Sequence, residues 1–160
     1  MQQLVSILIP TYNGAEFLLE ALHSVNSQTY ANCEIILSDD GSKDTSLEII
    51  ESFKKVSKFP VKVYYHKASG IGENWNNCIR KANGEYLKFL FQDDVLKPKC
   101  IEKLVHRAEQ DADIGMVYCK RDFLFNEEEH KEWINLYGNL ENHWKGLDRK
   151  STRLNSSHLL

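Results

Sequence analysis

The apolar residues of this chain switch period repeatedly, from short β-branched runs to stripes spaced three and four apart, and few architectures accept such an alternation. Val5-Ser6-Ile7-Leu8-Ile9 is a strand-forming run that Pro10 is expected to stop, and Phe17, Leu18, Ala21, Leu22 and Val25 then share one helical face. Glu34 to Ser38 reads as a second strand, followed by the stripe Leu47, Ile50 and Phe53. Val61 to Tyr65 reads as a third, followed by a weaker helix from Trp75 to Ala82. Tyr86 to Phe91 predicts a fourth strand, then a helix carrying Ile101, Leu104, Val105 and Ala108 with Pro98 in its first turn, and Met116 to Cys119 a fifth strand. Capping pairs are expected at the first two helix starts, Asn13 with Glu16 and Thr45 with Glu48. Because crossovers between parallel strands are almost always right-handed, the alternation predicts an α/β, Rossmann-like fold, a mainly parallel sheet with helices on both faces.

A length of 160 residues, 42% hydrophobic and 27% charged, suits one such core. Twenty Lys plus Arg against 23 Asp plus Glu give a formal charge of -3, so no basic excess points to nucleic acid. No apolar run approaches the roughly 20 residues that cross a bilayer, and the first run breaks at Pro10 too early for a signal peptide. A cytoplasmic location is expected. Cys33, Cys78, Cys100 and Cys119 form no C-x-x-C pair or zinc spacing and read as free thiols, with Cys78 and Cys119 among apolar neighbours as small core residues. Beyond Lys120 the alternation fades into the charge run 126–130 and the scattered aromatics Trp133, Tyr137 and Trp144. Residues 148–160 have neither period and resemble translated adapter or vector DNA, so the expected domain is 1–147 with a non-native tail at 148–160.

Three strand ends carry unusual loops: Pro10-Thr11-Tyr12-Asn13, Asp39-Asp40-Gly41-Ser42 and Gln92-Asp93-Asp94. In a parallel sheet the loops after the strands gather at one edge, where ligands bind. The ordinary readings are a turn for Asp39 to Ser42 and helix N-terminal charge for Asp93-Asp94. Two acidic doublets on one edge nevertheless repel, and a divalent cation is the economical way to offset them. No Gly-Lys-Ser/Thr marks a P-loop, and Gly70-Ile71-Gly72 is no dinucleotide fingerprint, because Trp75 takes the place of its third glycine.

In this order, Val5 to Asn13, Ile36 to Asp44 and Gly84 to Asp94 resemble the nucleotide-binding half of the family 2 glycosyltransferases, enzymes of the A-type fold. That resemblance implies transfer of a sugar from a nucleoside diphosphate, UDP favoured, to an acceptor hydroxyl on a glycan or lipid-linked molecule in polysaccharide or glycan synthesis. Thr11 and Tyr12 would border the base, Asp39 would accept hydrogen bonds from base or ribose, and Pro10, Asn13, Asp40, Gly41 and Ser42 would complete the nucleotide site. Asp93, with Asp94, would hold Mg²⁺ or Mn²⁺ at the last position of the family's Asp-x-Asp signature, and Asn76 and Gln92 would lie in the donor site. Phe91 stands where the first acid of that signature often sits and Trp75 where an Arg often precedes Asn76; Trp75 reads as core.

The resemblance also implies a chain incomplete at its C-terminus, inactive alone, whose full-length form works at the inner face of the cell membrane. Glu127, Glu128, Glu129 and Glu132 offer carboxylates for a general base, but their spacing singles out none. Two other classes use similar edges: a phospho-acceptor signalling domain, for which Lys120 is a poor match, and a non-catalytic nucleotide-sugar-binding module.

Overall fold

The computed structural model describes residues 2–120; the expectations for 126–147 and for the tail at 148–160 lie outside the described residues. Residues up to Val117 form one compact unit, and a second begins at Tyr118. The first holds β1 (Val5–Thr11), α1 (Ala15–Asn26), β2 (Cys33–Asp39), α2 (Ser46–Val56), β3 (Val61–Tyr65), α3 (Ile71–Lys81), β4 (Tyr86–Phe89) and α4 (Cys100–Ala108). All strand pairs are parallel, in the order β3-β2-β1-β4. The expected α/β fold is therefore observed. Among the described residues Met116 to Cys119 form no strand, and Pro98 precedes α4 in a turn whose carbonyl accepts the Thr29 N–H at 2.9 Å.

Strand order and crossover hand together place the helices. The chain moves outward from β1 to β2 to β3 and then returns past β1 to β4, so a right-handed connection puts α3 on the face opposite α1 and α2. The two cores agree. Val5, Ile7, Ile9, Ile35 and Leu37 pack with Leu18, Leu22, Ile50, Ile101 and Val105 of α1, α2 and α4, whereas Leu8, Ile36 and Phe89 pack with Cys78 of α3. Burial pushes the Cys33 and Cys78 thiols up to about 12, so both remain protonated core residues.

Pro10 does not stop β1, which runs on to Thr11. Leu8 O accepts the Leu90 N–H on the β4 side, while Thr11 O accepts the Asp40 N–H on the β2 side. By this alternation the nitrogen of Pro10 faces β4, where pairing has already ended at Leu8 with Phe89. The missing N–H costs no ladder bond there. For the same reason β4 ends at Phe89 rather than Phe91: its chain leaves β1 and turns, with the Asp94 N–H donated to Phe91 O at 3.1 Å.

At the opposite edge the sheet is tied by a buried acid. Glu34 accepts from Ser6 Oγ at 2.6 Å, Lys62 Nζ at 2.8 Å and the Asn83 N–H at 2.7 Å. Burial works to raise its pKa, but the Lys62, Ser6 and Asn83 bonds outweigh it and lower the carboxyl to about 2. Its contribution is thus complete above the ordinary carboxylate range and lost as pH falls through about 2. Glu34→Gln is expected to cost roughly 3 kcal/mol at pH 7, a gap that closes as pH drops below about 4.5, followed by urea melts across pH.

Candidate active site

In a sheet ordered β3-β2-β1-β4, the strands that follow β1 are added first on one side and then on the other, and the carboxyl ends of β1 and β4 diverge around a crevice. A cleft of about 610 Å³ lies there. Pro10, Thr11 and Tyr12 line it from the end of β1, and Phe91, Gln92 and Asp93 from the end of β4. Asp40 enters from β2, and Ala68, Gly70, Ile71, Asn74 and Trp75 close it from the connection into α3.

Gln92 joins the two diverging strand ends as a surrogate for the lost ladder. Its Oε1 accepts the Tyr12 N–H at 2.9 Å and its Nε2 donates to Tyr12 O at 3.1 Å. The side chain lies against Gly14, where a Cβ would collide with the Gln92 amide. Behind Tyr12, Asn13 adopts a left-handed conformation with φ 46. It does not cap α1: its N–H is donated to Ser42 Oγ at 2.8 Å and its Oδ1 accepts the Lys43 N–H at 2.8 Å. The N-terminus of α1 is satisfied from the next loop, by Ser46 Oγ on the Gly14 N–H at 2.9 Å and Asp44 Oδ2 on the Ala15 N–H at 3.0 Å. Asp44 Oδ1 also accepts the Ser46 N–H at 3.0 Å, so one carboxylate serves two helix starts, and neither expected capping pair makes a side-chain cap bond. Bonding to Ser46, then to Ala15, holds the Asp44 carboxyl below its usual range despite burial.

The acidic doublet after β2 is neutralised by donors within the protein. Asp39, only 1% exposed, accepts the N–H groups of Gly41 at 3.1 Å and Ser42 at 2.9 Å, and the Ser42 hydroxyl bonds its other oxygen. Gly41 completes this turn at φ 79. Asp40 Oδ1 accepts the Ser69 N–H at 2.6 Å and Ser69 Oγ at 3.0 Å, its Oδ2 accepts the Gly70 N–H at 2.9 Å, and His66 Nδ1 stands 3.3 Å away. Burial works against the charge on Asp40, but the Ser69 and Gly70 donors and His66 prevail and lower its pKa. The doublet thereby holds the loop from His66 to Gly70 over the cleft. His66 extends the brace: Nε2 lies 3.1 Å from Ser38 Oγ and 3.1 Å from Asn74 Oδ1, Asn77 Nδ2 donates to Ser38 Oγ at 2.8 Å, and Asn74 Nδ2 donates to Thr11 O at 3.2 Å.

Of the sequence-derived site residues, Pro10, Thr11, Tyr12, Asp40, Gln92 and Asp93 line the cleft. Asn13, Asp39, Gly41 and Ser42 form the bonded turn behind it, and Asn76 and Asp94 are outside the lining. Trp75 is not core: it is 38% exposed and lines the cleft beside Phe91. The wall from Ala68 to Asn74 was not foreseen, because its position depends on Asp40 bonds spanning about 30 residues; only Gly70, at φ 91, gave a local sign of a turn. Among the described residues no group of three or more His, Cys, Asp or Glu converges on a metal position. Asp93 stands exposed in the cleft wall. That sparse set fits a cation that takes one or two carboxylates and completes its shell with water and phosphate, as Mg²⁺ does.

The parallel sheet with its cleft at the carboxyl edge is that of the A-type glycosyltransferase fold. The chain belongs to the family Glycosyl transferase family 2, which it matches over residues 6–158. It is 36% identical over 115 residues to the glycosyltransferase GlyG of Streptococcus pneumoniae, covering 71% of this chain and 38% of that one. It is 34% identical over 110 residues to the putative glycosyltransferase EpsH of Bacillus subtilis, covering 69% and 32%. The chain thus spans about a third of the length of these curated relatives. The structure of S. aureus TarS 1-349 in complex with UDP-GlcNAc superposes with a TM-score of 0.62 at 26% identity, over 66% of this chain and 31% of that one. The mannosyltransferase PcManGT of Pyrobaculum calidifontis, solved with GDP-Man and Mn²⁺, shares the fold with a TM-score of 0.66 at 21% identity, over 74% and 35%. Family membership sets aside the phospho-acceptor reading.

Asp40→Ala should release the loop it clamps. Hydrogen exchange at the Ser69 and Gly70 amides is expected to accelerate about tenfold or more, and stability to fall by about 2 kcal/mol, the scale of charge-assisted hydrogen bonds lost from a buried acceptor. Unchanged exchange at both amides would show that the loop is held by other contacts.

Proposed function

We propose that this chain carries the donor site of a glycosyltransferase that moves a sugar from a nucleoside diphosphate, UDP favoured, to an acceptor hydroxyl in glycan or polysaccharide synthesis, with Mg²⁺ or Mn²⁺. One observation carries the reading: Asp93 stands exposed in the cleft wall and, among the described residues, no Lys or Arg lines the cleft. An anionic diphosphate is stable there only with a counter-cation. The TarS complexes with UDP and UDP-GlcNAc, and the Mn²⁺ of the mannosyltransferase complex, support the donor class and the metal.

In this reading the exposed ring of Tyr12 offers a face to the base, at the junction of β1 and β2. Gln92 fixes the Tyr12 backbone, and Asp39, bonded within its own turn, shapes the Gly41-Ser42 backbone behind it. Asp93 holds the cation, with Asp94 next to it in the turn. The cation supplies positive charge against that building on the departing diphosphate. Removal of the acceptor proton falls to a group outside residues 2–120, where Glu127, Glu128, Glu129 and Glu132 also lie.

Asp93→Asn is the direct test. Its affinity for UDP in Mn²⁺, measured by calorimetry, should fall about tenfold or more to the metal-free value, with an unchanged circular dichroism spectrum. Asp94→Asn should lose less. Full Mn²⁺-dependent affinity in Asp93→Asn refutes the metal assignment, and preference for GDP over UDP in competition refutes the favoured base.

A further inference from the structure

Trp75 is the anomalous residue of the cleft. A tryptophan with core contacts on every side would be buried, yet this one is 38% exposed while its ring lies 4.9 Å from Phe91 and 5.7 Å from Phe89, centroid to centroid. Phe89 and Phe91 stack in turn at 6.0 Å, so the three rings form one rigid aromatic block, and Trp75 and Phe91 both reach the cleft surface. Phe89 is anchored in the core with Leu8, Ile36 and Cys78, which fixes the block to the sheet.

We propose that Trp75 and Phe91 form an aromatic platform that receives the glycosyl group of the donor, with the apolar C–H face of a pyranose ring against the indole. This rests on the nucleotide-sugar reading above and adds which part of the donor the platform meets. An anionic diphosphate gains nothing from an apolar face, which leaves the base and the sugar as occupants. Sheet order separates them. Tyr12 and the Asp39 turn lie where β1 meets β2, whereas Trp75 packs on Phe89 and Phe91, on the opposite side of β1 where β4 ends. Asp93, the carboxylate on the phosphate side, follows Phe91 by two residues. A donor with its base at Tyr12 and its diphosphate near Asp93 therefore presents the glycosyl group on the β4 side, to Trp75. A pyranose suits the platform because its C–H face covers the ring while its hydroxyls stay open to water in the cleft.

The test separates the donor's parts on the purified chain. In Mn²⁺, calorimetry compares UDP with UDP-N-acetylglucosamine, and GDP with GDP-mannose, for the wild type, Trp75→Leu and Trp75→Phe. Trp75→Leu is expected to weaken the nucleotide-sugar that the wild type binds by about five- to tenfold, the size of one aromatic contact, while the matching nucleoside diphosphate changes less than about twofold. Trp75→Phe should recover most of the loss. Equal weakening of diphosphate and nucleotide-sugar, or no change in either, overturns the proposal. Saturation-transfer NMR on the wild type needs no variant: irradiating aromatic protons should saturate pyranose ring protons, and saturation confined to the base overturns the platform. Failure of the wild type to bind any of the four compounds refutes the nucleotide-sugar reading itself and the platform with it.

Discussion

The cleft depends on β1 and β4 separating where Pro10 has no N–H to offer. On the β4 side the ladder ends with Leu8 opposite Phe89, and Pro10, next to face that side, offers no N–H to extend it. The two chains then diverge, and what would have been sheet becomes a crevice. Gln92 bridges it with an amide that bonds both the N–H and the carbonyl of Tyr12, so the strand ends stay at a set separation without closing. Gly14 makes room for that amide.

The electrostatics of the edge divide between two kinds of acid. Asp39 and Asp40 face donors supplied by their own turn and by the loop to Gly70, and these lower the pKa of Asp40 against the cost of burial. Their charge is used to build a wall. Asp93 is exposed to the cleft and is the acid left to meet a ligand or its cation. Repulsion within an acidic doublet was thus a sound reason to expect a compensating partner, but after β2 that partner is the backbone of Ser69 and Gly70.

The braces around the site act over long stretches of chain. Asp44 satisfies the starts of both α1 and α2, Asn13 bonds Lys43, and His66 joins β2 and β3 to α3 through Ser38 and Asn74. Local capping patterns at Asn13 with Glu16 and at Thr45 with Glu48 pointed to the right helix starts with the wrong partners. The N–H groups at a helix start donate to any oxygen the fold delivers; for α1 a loop about 30 residues away delivers it, and for α2 the neighbouring Asp44 does.

What could be read before folding was what repeats locally. Apolar period and crossover hand were enough for the α/β class, the strands up to β4, and the gathering of Tyr12, Asp40 and Asp93 at one edge. The order of three motifs was enough for the family. Contacts between distant segments were not legible, because side-chain direction and strand divergence emerge only once the sheet is assembled. Hence Asp39 lies behind the cleft instead of in its wall, the loop from His66 to Gly70 forms that wall, and β4 stops at Phe89. Trp75 shows the same limit: its helical spacing fits a core position, but α3 covers mainly β1 and β2, so at the helix's first turns the indole overhangs the edge where β4 has turned away.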